Sequence, residues 1–262
     1  MPLKNPEIIT QYDDIDVGVC SFVGTREEQQ DALFCSVLEE MTVVILCDGM
    51  GGMHFGARAA NAAIDVMKQQ MDQRPNFQQD VPAFFEQAIP TLDAAILNLA
   101  DEYPDSCRAG TTIVCVVIVQ NSLYWLSVGD SRLYILRQGE MVCATRDHNY
   151  LFTLNYLLSE GRINQTFYEQ EKEKKGGALT SYLGMGGVEF YDISQSPFSL
   201  SQGDILLMTT DGLYKALTDE EIGIVLQSHK DAQKVADQMI SLVKEKNISG
   251  QDNTSFVVLK IR

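Results

Sequence analysis

Aspartates recur at the ends of apolar segments along this chain, at positions that could gather several carboxylates into one site. Asp31 precedes the apolar segment 33–38, and Asp48 follows the segment 42–47. Because only residues 39–41 separate these segments, they are predicted to form a β-hairpin. Both aspartates would then lie at the open end of that hairpin.

The same counting applies farther along the chain. The segment that begins at Thr111 reaches a turn at residues 120–121 and returns to Asp130. The next segment turns at residues 138–139 and returns to Asp147. Thr111, Asp130 and Asp147 are therefore expected on one edge of a sheet.

Two more aspartates flank late strands. Asp211 follows the segment 204–209, and Asp252 precedes the segment 255–261, so antiparallel pairing of these strands would bring the two carboxylates together.

Grouped carboxylates repel one another unless a cation holds them, and oxygen-only ligands suit Mg²⁺ or Mn²⁺ better than zinc. A divalent metal site is the prediction. The alternative, that these Asp and Gly residues only form turns, explains single positions but not the whole set.

The glycines next to Asp48 support a site for an ion or a phosphate. The sequence Asp48-Gly-Met-Gly-Gly52 predicts a tight turn that lets the backbone approach a ligand closely. A dinucleotide-binding fingerprint starting at Gly49 would need a glycine where His54 stands. The chain has no P-loop and no GxSxG motif, and its three histidines do not indicate a zinc site. The second Gly-Met-Gly-Gly, at residues 184–187, is interpreted as a coincidental repeat.

Charge and hydropathy exclude some partners. Twenty Lys and Arg against 36 Asp and Glu give a net charge of −16, and no basic patch is present, so no nucleic-acid partner is expected. The longest apolar runs, Val43–Cys47 and Ile113–Val119, fall far short of the roughly 20 residues of a membrane span. Residues 1–7 lack the apolar core of a secretory signal, which predicts a cytoplasmic protein.

Cysteine usage agrees with a reducing compartment. No CxxC or zinc-type spacing occurs, so the cysteines are predicted to be reduced residues of the core. They are Cys20, Cys35, Cys47, Cys107, Cys115 and Cys143.

Strand-length apolar segments dominate the chain, and several are apolar throughout rather than alternating. Both faces of such strands must be covered, which favours a layered sandwich of sheets and helices. The predicted strands are Val17–Val23, Leu33–Leu38, Thr42–Cys47, Thr111–Val119, Leu123–Val128, Leu133–Arg137, Met141–Thr145, Asp204–Thr209 and Ser255–Ile261.

Helices are predicted between these strands. Apolar residues recur at helical spacing over 57–71, 85–99 and 235–243, with a kink expected at Pro90. A further helix begins at a capping box that runs from Thr218 to Glu221. The chain shows no linker or repeat, so residues 1–262 are expected to form one domain.

A charged run interrupts the strand pattern at residues 169–175, just before Gly176 and Gly177. It is typical of a solvated loop or helix. A dedicated binding face is the alternative.

Eight motifs occur in an order that identifies a family. They are Arg26 four residues before Gln30-Asp31, Asp48-Gly-Met-Gly-Gly52, Ala109-Gly-Thr-Thr112, Val128-Gly-Asp-Ser-Arg-Leu-Tyr134, Arg146-Asp-His148, Leu183-Gly184, Thr210-Asp-Gly-Leu213 and Gln251-Asp-Asn-Thr254. Together they resemble the bacterial type of the PPM family, the protein phosphatase 2C-like metal-dependent Ser/Thr phosphatases. The resemblance covers about residues 17–261.

This resemblance implies an α+β fold, a four-layer α-β-β-α sandwich of two antiparallel sheets flanked by helices. A binuclear metal site lies at one edge of such a sandwich. The whole chain, residues 1–262, would form a single catalytic domain. Residues 159–180 would correspond to the variable flap beside the site.

The resemblance also implies roles for individual residues. Asp48 would bridge two metal ions, and the carbonyl group of Gly49 would bind one of them. Asp211 and Asp252 resemble the remaining ligands of the other ion. Asp130 matches the site of a third, weaker ion, which Asp211 would share.

Two more residues match positions close to the metal ions. Asp31 resembles the acidic residue that orients metal-bound water, and Arg26 resembles the residue that grips the substrate phosphate. An arginine offers a planar fork that suits phosphate oxygens. A structural salt bridge is an equally good interpretation of Arg26 from its position alone.

The sequence departs from the family pattern at three positions. Met50 stands where some members carry a histidine assigned as general acid. Metal-bound water would be one proton donor in its place, and His54 and His148 are weaker candidates that are better interpreted as structural residues. Gln30 replaces a common acidic residue. Ser181 replaces an arginine that often precedes the Leu-Gly motif.

The implied function is hydrolysis of phosphoserine and phosphothreonine in proteins, by direct attack of a metal-bridging water. The cofactors would be two Mn²⁺ or Mg²⁺ ions and a weaker third. The substrate would be a phosphorylated protein, and the enzyme would oppose a Ser/Thr kinase. The alternative is a non-catalytic phosphoprotein-binding or regulatory module on the same fold. The net charge opposes a third class, a metal-dependent nuclease.

Overall fold

The computed structural model describes residues 6–51, 55–101 and 109–262, and its strands follow the apolar segments of the sequence. The strands are β1 (Glu7–Thr10), β2 (Ile15–Phe22), β3 (Asp31–Val37), β4 (Met41–Met50), β5 (Gly110–Thr111), β6 (Ile113–Val119), β7 (Ser122–Val128), β8 (Arg132–Arg137), β9 (Glu140–Cys143), β10 (Asp192–Ile193), β11 (Phe198–Ser199), β12 (Ile205–Thr209) and β13 (Thr254–Ile261).

Helices connect or follow these strands. They are α1 (Phe55–Gln73), α2 (Val81–Asp101), α3 (Tyr150–Ser159), α4 (Gln165–Lys175), α5 (Asp211–Tyr214), α6 (Asp219–Leu226) and α7 (Ala232–Glu245), with a short 3₁₀ turn at Phe77–Gln79. The capping box predicted for α6 is confirmed, because Thr218 and Glu221 exchange hydrogen bonds of 3.2 and 2.9 Å. Helix α2 continues through Pro90 as one element.

Two sheets carry the fold, as predicted. The first has the strand order β1-β3-β4-β6-β7-β10, with β5 added to β4 and β11 to β7. The second has the order β2-β13-β12-β8-β9. Neighbouring strands are antiparallel except for β1, which pairs in parallel with β3.

The uninterrupted apolar character of β4 is explained by cover on both of its faces. Val43, Ile45 and Cys47 pack with the helices α1 and α2. Val44 and Leu46 point to the opposite side and join the core between the two sheets. A strand that is covered on both faces needs apolar side chains at successive positions. Its sequence therefore lacks the alternation of apolar and polar residues that a strand with one exposed face shows.

The outer face of the second sheet is covered by α6 and α7. Val235, Met239 and Val243 of α7 pack with Leu207 and Val258 of the sheet. The order of layers is therefore helix, sheet, sheet, helix, which confirms the predicted four-layer sandwich.

Some elements were not predicted from the sequence. Helix α3 and the edge strands β1, β10 and β11 are absent from the predicted set, and the charged run 169–175 forms most of α4. Asparagine N-caps mark the starts of both helices: Asn149 accepts from the backbone of Phe152 at 3.0 Å, and Asn164 from that of Phe167 at 2.8 Å. These caps are the sequence signal that could have located the helices. The edge strands have only two to four residues each, too few to show a period.

The described cysteines are all free, as predicted. Cys35, Cys47 and Cys115 are buried in the core. Cys143 is exposed on β9 at the sheet edge, so its assignment to the core was wrong. Cys107 lies outside the described residues.

None of the described helices has both the length and the apolar character needed to span a membrane.

The second Gly-Met-Gly-Gly segment, at residues 184–187, has a structural role of its own. All four backbone amides of residues 184–187 donate to the carboxylate of Asp93 on α2, at distances from 2.7 to 3.4 Å. Successive amides that converge in this way form an anion-binding concavity. Here the anion is a buried side chain of the protein itself, which fixes this loop to α2.

Replacing Asp93 is expected to destabilise the protein. Asp93→Ala would leave four amides without their common acceptor, and loss of hydrogen bonds to a charged group should lower the free energy of unfolding by about 2 kcal/mol. Urea denaturation followed by circular dichroism measures this change. Asp65→Ala on the exposed face of α1 is the control and should change stability by less than about 0.5 kcal/mol. Equal urea midpoints for Asp93→Ala and wild type would show that the loop is held by other contacts.

Candidate metal centre

The hairpin β3–β4 brings the first two aspartates together. Asp31 and Asp48 are directly opposite each other in the strand register, as the short turn predicts. Asp31 is buried, and burial raises the pKa of its carboxyl group, with the negative charges of Asp211 and Asp252 acting in the same direction. Its Oδ2 accepts a hydrogen bond of 3.0 Å from the hydroxyl of Thr210.

Asp48 is the electrostatic centre of the group. Burial raises the pKa of its carboxyl group well above the ordinary value, and four neighbouring carboxylates raise it further. These neighbours are Asp31, Asp211, Asp130 and Asp252. One edge of the sandwich therefore gathers five carboxylates from both sheets, as the sequence predicted.

The second sheet contributes Asp211 and Asp252. Strands β12 and β13 pair antiparallel, so the residue after β12 and the stretch before β13 meet at one edge, as predicted. Asp211 begins α5, and its Oδ2 accepts from Nζ of Lys215, one helical turn later. Oδ2 of Asp252 accepts from Nη2 of Arg26 at 2.7 Å.

Asp130 lies in the turn between β7 and β8. Burial raises the pKa of its carboxyl group to about 6, and the charge of Asp211 adds to this shift. The hydroxyl of Tyr214 donates to the Asp130 carbonyl at 2.9 Å, which connects this turn to α5. The preceding Gly129 has φ of +103°, and an added Cβ would come within 2.5 Å of the Thr112 side chain, so glycine is required there.

Asp147 was predicted on the same edge but has a different partner. Its carboxylate forms a two-pronged ion pair with Arg132, with distances of 2.8 and 2.7 Å. The guanidinium of Arg132 also lies 3.6 Å from the ring centre of Tyr214. Asp147 therefore reaches the site indirectly, through Arg132 and through Tyr214, which donates to the Asp130 carbonyl.

Backbone hydrogen bonds fix Asp48 from the neighbouring strand. Its N–H donates to the hydroxyl of Thr112 at 3.0 Å, and its carbonyl accepts from the N–H of Thr112 at 2.9 Å and the hydroxyl of Thr111 at 3.0 Å. The next residue, Gly49, has no room for a side chain, since a Cβ would lie 2.1 Å from the carbonyl oxygen of Gly56. This close approach explains the glycine after Asp48.

These residues open onto one cavity of about 1120 Å³. Its lining includes Asp48, Gly49, Asp130, Asp211, Asp252 and Arg26. A cavity of this volume has room for a phosphorylated side chain. Asp31 lies behind the lining, against the hydroxyl of Thr210.

The chemistry of the donors fits divalent cations. Every side-chain donor is a carboxylate, the ligand that Mg²⁺ and Mn²⁺ prefer. Oδ1 of Asp211 is buried and has no hydrogen-bond partner among the described residues. As the side chains lie in the described residues, no three Asp, Glu, His or Cys groups are close enough together to hold a metal ion. Arg26 and Lys215 neutralise two of the carboxylates instead.

The position of Arg26 fits both interpretations considered for it. It makes the salt bridge with Asp252, and it also lines the cavity with a side chain that is 57% exposed. Exposed ion pairs contribute little to stability, so the pair leaves the guanidinium available to a ligand.

The departures from the family pattern have clear positions. Met50 and Gln30 line the cavity, and the side chain of Gln30 donates to the carbonyl of Gly51 at 3.3 Å. Ser181 is buried and donates to the carbonyl of Phe190 at 2.6 Å. His148 accepts from the backbone N–H of Gly129 at 3.1 Å, which indicates a structural role. His54 lies outside the described residues.

Part of the predicted flap reaches the cavity. Gly177 and Leu179 line it, together with Tyr182 just beyond the predicted range. The charged helix α4 is mostly exposed, and its buried Tyr168 binds Asn155 of α3 at 2.8 Å. The two helices thus form a pair on the surface beside the site.

Sequence reasoning missed several supporting residues. Lys215, Gln251 and Asn253 contact the aspartates or their loops, and none was assigned a role. The spacing of four between Asp211 and Lys215 could have indicated their ion pair, once a helix at Asp211 was recognised. The contacts of Gln251 and Asn253 reach residues more than 200 positions away, as well as Gly212, and leave no local pattern.

Comparisons with known proteins agree with this geometry. A family model described as Protein phosphatase 2C matches residues 23–251. The serine/threonine phosphatase stp of Listeria innocua is 26% identical over 224 residues, which are 85% of this chain and 85% of that protein.

Solved structures show the same fold. A serine/threonine phosphatase of S. agalactiae superposes with a TM-score of 0.81 at 25% identity, covering 95% of this chain and 100% of that one. The catalytic domain of the serine/threonine protein phosphatase PstP, in complex with two manganese ions, superposes with a TM-score of 0.74 at 26% identity, covering 94% and 97% of the two chains. The family model matches residues 23–251, which are most of this chain. This chain therefore belongs to the protein phosphatase 2C family.

Proposed function

We propose that this chain is a metal-dependent protein serine/threonine phosphatase that hydrolyses phosphoserine and phosphothreonine. The observation that carries the proposal is the convergence of Asp48, Asp130, Asp211 and Asp252 on one cavity. Family membership and the names of the relatives support the same reaction. The two sheets share one apolar core, which supports a single catalytic domain over residues 1–262.

The carboxylates would hold two Mn²⁺ or Mg²⁺ ions. Asp48 and the carbonyl of Gly49 would contribute on one side, and Asp211 and Asp252 on the other, with Asp130 and Asp211 holding a weaker third ion. Such ions, when bound, activate water for attack on phosphorus and offset negative charge. The manganese ions bound to the PstP catalytic domain support this assignment.

The remaining chemistry belongs to side chains around the cavity. Asp31, fixed by Thr210, would orient the attacking water from behind the lining. Arg26 on the cavity rim would bind the phosphate oxygens through its guanidinium. Met50 offers no proton donor, so the leaving alkoxide would take its proton from water in the open cavity.

The substrate would be a phosphorylated protein, and the enzyme would oppose a Ser/Thr kinase. A non-catalytic module that binds phosphoproteins is the second candidate. Loss of ligand aspartates would favour that candidate, yet all five carboxylates are present around the cavity. The intact set therefore favours catalysis.

The metal requirement gives the first test. Chelator-treated protein should release no phosphate from a phosphothreonine peptide until Mn²⁺ is added. Asp211→Asn should lower the rate at least about 100-fold, because it removes one charged ligand. Calorimetry should show weaker Mn²⁺ binding by the same variant. Asp65→Asn, the same change on the exposed face of α1, should match wild type in both measurements.

Two results would contradict the proposal. A folded wild-type protein that releases no phosphate at any Mn²⁺ concentration, yet binds the phosphopeptide, would indicate the binding module. Full activity of Asp211→Asn would remove that aspartate from the site.

Arg26 gives a second, independent test. Arg26→Ala should raise KM for the phosphothreonine peptide about tenfold, and Arg26→Lys should restore only part of the loss, because lysine lacks the planar fork. Steady-state kinetics with saturating Mn²⁺ separates KM from kcat. Lys234→Ala on α7 should leave both constants unchanged. Unaltered KM in Arg26→Ala would reduce Arg26 to a structural partner of Asp252.

A further inference from the structure

Residues 23–30, the loop that carries Arg26, form turns and bends between β2 and β3. Hydrogen bonds attach this loop to residues 251–253, the segment just before β13. The backbone N–H and the hydroxyl of Thr25 donate to the Gln251 carbonyl at 2.9 and 3.1 Å. The salt bridge from Arg26 to Asp252 lies beside this contact.

The side chain of Asn253 makes three hydrogen bonds to this loop. This side chain is buried, and its Oδ1 accepts from the backbone N–H of Gln30 at 2.7 Å. Its Nδ2 donates to the carbonyls of Val23 and Glu28, at 2.9 and 3.0 Å. One amide group therefore holds both ends of the loop, with Arg26 between them.

The geometry requires an amide at this position. Both atoms of the Asn253 side chain are used, one as an acceptor and the other as a donor in two bonds. A carboxylate of the same shape could still accept from Gln30. Its second oxygen, however, would face the carbonyls of Val23 and Glu28, and three acceptors cannot bond to one another.

We propose that Asn253 is a positioning residue for catalysis, which fixes the Arg26 loop so that the guanidinium meets the substrate phosphate. This inference rests on the proposed phosphatase function and on the role of Arg26 in it. It assigns a reaction-related role to the residue that follows Asp252. A small misplacement of a group that orients the substrate has a large effect on the reaction.

The test is a double-mutant cycle with Asn253→Asp and Arg26→Ala. Alone, Asn253→Asp should raise KM for the phosphothreonine peptide about tenfold and change kcat less than about threefold. In the Arg26→Ala background it should raise KM by less than about twofold, since the group that it positions is already gone. Asn98→Asp on the exposed face of α2 carries the same change in charge and should have no effect in either background.

Hydrogen exchange tests the loop itself. Amides in residues 23–30 should exchange faster in Asn253→Asp than in wild type, whereas Mn²⁺ binding measured by calorimetry should change less than about twofold. Thr25→Val, which removes one loop contact without adding charge, should raise KM in the same direction by about threefold. This variant supplies the test if Asn253→Asp does not fold.

The outcomes separate the two proposals. Lack of phosphate release by the wild type would overturn the phosphatase function itself. An active wild type with equal effects of Asn253→Asp in both backgrounds would overturn the positioning role and indicate a general effect of charge or stability. Unchanged KM in Asn253→Asp would overturn it as well.

Discussion

Repulsion among carboxylates is the constraint on which this structure depends. Asp31 and Asp48 face each other across one hairpin, and Asp211 and Asp252 approach them from the second sheet. Gathering like charges in a partly buried place costs free energy, and the raised pKa values of the Asp31 and Asp48 carboxyl groups express that cost. The apolar core between the sheets must therefore supply the stability that holds the strand ends together. Divalent cations would relieve the same repulsion. The free energy of ion binding therefore depends on how well the apolar core holds the carboxylates together before the ions bind.

The residues that support Asp48 are themselves held by further hydrogen bonds. Asp48 is bonded through its backbone to Thr111 and Thr112, and Thr111 in turn exchanges backbone hydrogen bonds with Leu183. Leu183 precedes the loop that Asp93 holds to α2. A path of hydrogen bonds thus connects the helical layer to the centre of the site. Such preorganisation matters for a catalyst, because groups that are already in place need not reorganise during the reaction.

The sequence predicts those parts of the site that follow from local counting. A turn of three residues determines that Asp31 and Asp48 are opposite each other, and antiparallel pairing of β12 with β13 brings Asp211 close to Asp252. Asp147 shows where such counting ends, since β9 stops four residues before it, at Cys143, and its partner, Arg132, is determined by packing. Cys143 lies on an edge strand, and the apolar character of its segment does not reveal that exposure. Edge strands such as β10 form only because β7 is already in place to pair with them.

Buried polar side chains provide hydrogen-bond partners for the backbone of two loops, as strand pairing does for the backbone of the sheets. Asp93 accepts from the amides of one loop, and Asn253 both accepts from and donates to the backbone of another. Backbone groups that are shielded from water need partners, and a loop cannot supply them from its own regular structure. One side chain with several bonds meets that need at the cost of ordering a single residue. The loop that Asn253 holds lines the cavity, so the same contacts that satisfy its backbone also determine the position of Arg26 there.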